Sequence, residues 1–138
     1  MNNLERFLEA QQRQYAIALA ELKQGEKQSH WMWYIFPQMQ GLGESPTSHY
    51  YGIKNRQEAI DYLNHPILGQ RLIECAEVLL ELKERTALDI FGYIDQLKLE
   101  SSMTLFNEVS DNPIFANVLK KYFDGARDSL TLKLLKQT

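Results

Sequence analysis

Cysteine is nearly absent. Cys75 is the single one among 138 residues, which excludes a disulfide framework within the chain. Glycine and proline are sparse, at 7 and 4, and such a composition does not suit a disordered or low-complexity chain. Long apolar runs are missing as well. None exceeds the length of the run at residues 31–36, far short of the roughly 20 residues that a membrane span needs. The opening residues, Met1-Asn2-Asn3-Leu4-Glu5-Arg6, lack the basic and then apolar order of a signal peptide, so a cytoplasmic location is expected.

Positive charge is not in excess either. Fifteen Lys and Arg stand against 18 Asp and Glu, a formal charge of −3, and the nearest basic tract is Lys120-Lys121. A long nucleic acid is therefore not an expected partner. One or two local cations can still hold a small anion, so a nucleotide-like ligand stays open, as does the question of a protein partner. His30, His49, His65 and Cys75 lack the spacing of metal ligands, and no metal or cofactor is expected. There is no G-x-S-x-G, no P-loop and no G-x-G-x-x-G.

What is present is a patterned globular chain, 44% hydrophobic and 24% charged. A chain of this length reads as one domain, 1–138, that buries roughly two-thirds of its unfolded surface. Leu4, Phe7, Leu8, Tyr15, Ala18, Leu19 and Leu22 repeat with a helical period that Gly25 can end, with a bend allowed near residues 11–14. Residues 29–37 read as a buried extended segment or one short helical turn. Residues 38–48 read as the clearest loop, and 49–53 as a short extended piece. Asn55 is a candidate N-cap for a helix to about Leu63. Pro66 then opens a helix with Leu68, Leu72, Cys75, Ala76, Leu79 and Leu82 inward, which makes Cys75 a core thiol. A short helix at 87–91 stops at Gly92, and another begins near Ser101 or Ser102. Asp111-Asn112-Pro113 caps a helix that Gly125 closes, and a last helix runs through Leu130 and Leu134. The expected fold is all-α, six to eight elements in one compact domain, with at most a short extended segment.

Three constellations could carry chemistry. Ser29-His30-Trp31-x-Trp33, with Pro37-Gln38 and Gly41-Leu42-Gly43 after it, places an imidazole beside two indoles. Such groups can stack on a planar ligand, or equally form a Trp-rich core edge. Asp95-x-x-Lys98-x-x-Ser101-Ser102-Met103-Thr104 combines an acid, a base and three hydroxyls. Asp95 and Lys98 can pair one turn apart, and a helix starting at Ser101 or Ser102 would offer N–H groups to a phosphate. The same features also suit a surface ion pair and an ordinary cap. Glu58 follows Tyr50-Tyr51-Gly52-Ile53 and stands alone among apolar neighbours. A carboxylate facing a cleft is suited to acid–base work, although on a helix it can also be merely solvated. Glu58, Asp95 and Lys98 are the candidate catalytic residues. His30, Trp31, Trp33, Gln38, Tyr51, Ser101 and Ser102 are the candidate ligand contacts.

Taken in order, these segments resemble a bacterial family, domain of unknown function 1810, often labelled calpastatin. The resemblance is carried by Ser29-His30-Trp31-Met32-Trp33, Ile35-Phe36-Pro37-Gln38, Gly41-Leu42-Gly43-x-Ser45, His65-Pro66-x-Leu68-Gly69-x-Arg71-Leu72, Phe91-Gly92-x-x-Asp95-x-x-Lys98, Ser101-Ser102-Met103-Thr104-Leu105-Phe106 and Gly125-x-x-Asp128-x-x-Thr131-Leu132. The calpastatin label implies a long, disordered, proline-rich inhibitor, at odds with this composition. The order of a Glu in a short helix, a Leu-Gly-x-Arg helix, then Met and Phe in a helix is similar to the NADAR superfamily. That likeness implies a helical fold and a Glu serving N-glycosidic hydrolysis, with Glu58 in the comparable place. Three readings follow: a module binding a nucleotide or ADP-ribose, an N-glycosidic hydrolase, or a non-catalytic structural or interaction domain.

Overall fold

The computed structural model describes residues 3–138, so Met1 and Asn2 of the leader reading lie outside the described residues. Those residues form an all-α fold. The first helix, α1 (Glu5–Gln24), buries Phe7, Gln11, Ala18 and Leu22 and ends at Gly25. It runs through 11–14 as one helix, without the bend that the sequence allowed there. Glutamine is a good helix former, and the Gln11 amide is anchored inward, donating to the Tyr34 carbonyl at 2.7 Å and the Tyr62 hydroxyl at 3.0 Å.

The aromatic segment makes one helical turn, α2 (Met32–Ile35). Residues 49–51 are not extended as expected. They belong to α3 (Pro46–Tyr51), which starts inside the expected loop. Ser45 caps it by accepting from the Ser48 N–H at 3.1 Å, and Pro46 supplies a helix-ready first residue. The extended part shrinks to a single parallel bridge between Met39 and Ile53. Asn55 caps α4 (Arg56–Asn64) through the Glu58 N–H at 2.8 Å. The turn to α5 (Leu68–Glu81) is held by His65, whose Nδ1 accepts from the N–H groups of Ile67 and Leu68. Gly69 lies so near α4 that a Cβ there would sit 1.9 Å from the Leu63 carbonyl oxygen.

The largest departure is in α6 (Ala87–Glu108). Thr86 and Asp89 form a capping box at its start. Gly92, at φ 79° and ψ 173°, leaves helical geometry and ends the first segment, residues 87–91, as expected; a second helical segment follows directly after this kink and runs to Glu108. No helix begins at Ser101 or Ser102, because both lie in the middle of α6 and are buried. Pairs of small hydroxyls mimic a cap in sequence, but within a helix they can bond back to the preceding turn. The Ser101 hydroxyl indeed lies 3.1 Å from the Leu97 carbonyl and that of Thr104 2.8 Å from the Glu100 carbonyl. The helices α7 (Ile114–Phe123) and α8 (Ser129–Lys136) complete the order. Among the described residues no helix is long and apolar enough to cross a membrane.

The core is continuous. Phe7, Tyr62, Phe106 and Phe115 form a chain of ring contacts at 5.0, 5.5 and 5.9 Å between centroids. Trp31, Phe36 and Phe91 form a second aromatic group. Cys75 is a core thiol, and burial pushes its pKa up to about 12.

Two buried carboxylates organise what surrounds this core. Glu58 is fully buried and its Oε1 pairs with Arg6 at 2.9 Å, while the same oxygen also accepts from the Lys54 N–H at 3.0 Å. Arg6 in turn donates to the carbonyls of Tyr50 and Gly52 at 2.8 and 3.0 Å. The pair therefore ties α1 to the end of α3 and the start of α4. Glu21 binds the segment after α1. It accepts from the Gln28 and Ser29 N–H groups, the Ser29 hydroxyl at 2.6 Å and the Trp31 indole N–H at 2.9 Å. Burial opposes its charge, but these donors prevail and hold its pKa down to about 2.

Three outcomes are expected. Glu58→Ala lowers the unfolding free energy by about 3–5 kcal/mol, because Arg6 is left buried without its counter-charge. Urea denaturation measures this, and a loss below about 1 kcal/mol would contradict the assignment. Gly69→Ala is destabilising by about 3 kcal/mol or more, since its methyl meets backbone and not a movable side chain. Glu21 has a depressed folded pKa, so its stabilisation is full above its ordinary value of 4.5 and is lost as pH falls toward about 2. Comparing acid unfolding of wild type and Glu21→Gln checks the sign: the variant's stability changes less across that window.

Candidate functional site

The segment held by Glu21 faces α6 across a cleft of about 270 Å³. Lys27, His30, Trp33 and Tyr34 line it from one side and Asp95 and Lys98 from α6, with Ser45 and Thr47 at the start of α3. Trp31 contributes to the wall too, but its ring is fully buried and its N–H is taken by Glu21. It packs; it does not offer a face. Trp33 is only partly buried.

The charges are arranged around Asp95. Lys27 reaches it at 2.8 Å and Lys98 at 3.2 Å. Partial burial works against the Asp95 charge, but the two lysines outweigh it and hold the carboxyl below its usual range. Lys27 is fixed further by the Ser29 carbonyl at 2.6 Å and lies 5.0 Å from the Trp31 ring centroid. Lys98 has a different second contact, the Trp33 ring at 4.9 Å. Two ammonium groups against one carboxylate leave one positive charge in the cleft.

A second cleft of about 230 Å³ lies beyond Trp33 and Lys98, which line both. Gln38, Leu42, Gly43, Ile94, Leu97, Ser101 and Asp128 complete it. Asp128 Oδ2 accepts from the Thr131 N–H at 3.1 Å and lies 3.0 Å from the Ser101 hydroxyl. It also accepts from the Thr131 hydroxyl.

The structure thus brings His30, Trp33, Asp95 and Lys98 into one cleft, with Trp31 behind it, and places Gln38 and Ser101 in the neighbouring one. It does not bring in the other three. Glu58 does not face a cleft, because Arg6 occupies its carboxylate inside the protein; the acid–base role implied by the NADAR likeness lacks an accessible group. Tyr51 packs its ring against Phe7, Tyr34 and Tyr50 at 5.9, 5.2 and 4.8 Å and lines neither cleft. Ser102 is fully buried inside α6, so the phosphate-binding helix start expected there is missing. Lys27, Tyr34, Ser45 and Thr47 belong to the site and were not foreseen. The capping pattern Ser45-Pro46 was a readable signal for the last two. Lys27 carries none, since its partner Asp95 lies 68 residues further along the chain. Among the described residues no group of three or more His, Cys, Asp or Glu could hold a metal ion.

No functionally curated protein matches the chain. Among solved structures it is similar to the crystal structure of the conserved hypothetical protein Rv1873 from Mycobacterium tuberculosis at 1.38 Å. The two share 46% sequence identity and superpose with a TM-score of 0.96, over 98% of this chain and 97% of that one. The family model described as protein of unknown function (DUF1810) matches residues 1–135, and the chain belongs to that family.

Proposed function

We propose that the first cleft binds a small ligand that joins a planar ring to an anionic group, as a mononucleotide does, and that the protein acts as a binding module. The reading is carried by Lys98. Its ammonium group is shared between Asp95 and the Trp33 ring, whereas Lys27 holds Asp95 on its own. Lys98 can turn to a ligand anion without leaving Asp95 unpaired, and the Trp33 face is then free to stack on a ring. His30, Ser45 and Thr47 add polar groups around the same space.

The volume favours the smaller ligands of this class. About 270 Å³ lies just under the usual range for small-molecule sites, roughly 300–1,000 Å³. That suits a mononucleotide better than ADP-ribose. Catalysis has less support. Hydrolysis of an N-glycosidic bond needs a carboxylate free to act on water or on a ribose cation. Glu58 is committed to Arg6, and Asp95 is held ionised by two lysines.

Calorimetric titration with AMP and with adenosine tests the proposal. AMP is expected to bind in the millimolar range or tighter and adenosine about tenfold more weakly, the difference made by one charge-assisted contact. Lys98→Met is expected to bring AMP down to the affinity of adenosine while leaving the melting temperature nearly unchanged. Absence of AMP binding at millimolar concentration, or equal binding of the two ligands, would sink it.

A further inference from the structure

The second cleft has chemistry of its own. Its lip is apolar and open: Ile94 is 66% exposed and Leu97 49%, and Leu42 lines the same space. Gln38 lines it as well, 2% exposed, with a side-chain Nε2 that has no hydrogen-bond partner. An amide donor buried without a partner is destabilising, so its presence in a cleft wants an explanation. Asp128 lines the cleft too, and its hydrogen-bond partners, Ser101 and Thr131, are neutral. Its charge is left uncompensated by them.

A ligand for this cleft has to satisfy both groups. Lys98 borders this cleft too, but its ammonium group is engaged by Asp95 and the Trp33 ring, so a carboxylate accepting from Gln38 would meet the Asp128 charge across a small space with that cation already taken. A hydrocarbon would suit Leu42, Ile94 and Leu97 but leave the Gln38 amide unpaired. A carboxamide has an acceptor for Nε2 and donors for the Gln38 or Asp128 oxygens, and carries no charge. We infer that the second cleft is a subsite for an uncharged carboxamide borne on a branched apolar group, so that the whole site takes a two-part ligand. The anionic, ring-bearing part lies on one side of Trp33 and Lys98 and the amide part on the other. The two-part character rests on the mononucleotide reading of the first cleft; the carboxamide preference does not.

The probe is 4-methylpentanamide, titrated into the 15N-labelled full chain and followed by NMR, with 4-methylpentanoate as the charged match. The two indole N–H signals distinguish the places: Trp33 lines the cleft, while Trp31 is bonded to Glu21 and serves as an internal reference. The amide is expected to shift the Gln38 side-chain and Trp33 signals at millimolar concentration and to leave Trp31 unmoved. The acid is expected to bind about tenfold more weakly. Gln38→Met is expected to lower amide affinity about tenfold while the melting temperature stays the same or rises, because a purely structural amide would lose stability on replacement. Equal binding of amide and acid, or no shift at Gln38, would overturn the carboxamide subsite whatever AMP does. If AMP fails to bind while the amide result holds, the subsite stands and the two-part ligand falls.

Discussion

A single carboxylate, that of Glu21, decides whether the cleft exists. The six residues after α1 contain Gly25, Glu26 and Lys27, none of which anchors itself in a core. Four donors converge on Glu21 from Gln28, Ser29 and Trp31, and Trp31 is thereby seated against Phe36 and Phe91. Lys27 and His30 flank that anchored stretch, and Trp33 follows one turn later. That one acceptor fixes the backbone on which His30 and Trp33 follow. The other wall is set by α6, to which the same stretch is tied through the Lys27 N–H and the Ile90 carbonyl, 2.7 Å apart.

The two buried acids show how alike structural and chemical carboxylates look before folding. Both Glu58 and Glu21 sit in ordinary surroundings in the sequence. In the fold one meets a guanidinium and the other only neutral donors, yet both are buried. Burial with full hydrogen bonding produces stiffness, and at Glu21 the converging donors favour the ionised form. Acid–base chemistry requires a group left incompletely satisfied, which is the condition both of them lack. The groups with spare capacity are elsewhere: the Lys98 ammonium, divided between two weak partners, and the Gln38 amide, with an Nε2 that has none.

Much of the helical order was legible because it depends on local rules. The stripe of α5 and the caps at Asn55 and Gly25 follow from spacing and residue type alone. The same local rules misread α3 and α6. Ser45-Pro46 was absorbed into a loop, since its glycine-bearing surroundings dominate any short window. Ser101-Ser102 looked like a beginning because a helix interior seldom wants two adjacent hydroxyls; here tertiary burial overrides that preference. At the site, Asp95 and Lys98 could be paired from their separation of three. Lys27 could not, nor could Arg6 as the partner of Glu58, because nothing in the chain encodes which distant cation reaches which acid except the completed packing.

The bend at Gly92 has a bearing on motion. With φ at 79° and ψ at 173°, the backbone ladder of α6 is interrupted there, and a straight rod becomes two short levers. The leading lever clasps the Lys27 backbone, and the trailing one carries Asp95, Lys98 and Leu97. Slow amide exchange in the trailing lever therefore need not follow fraying in the leading one. The mouth of the cleft can breathe at one edge while its charged wall keeps its register.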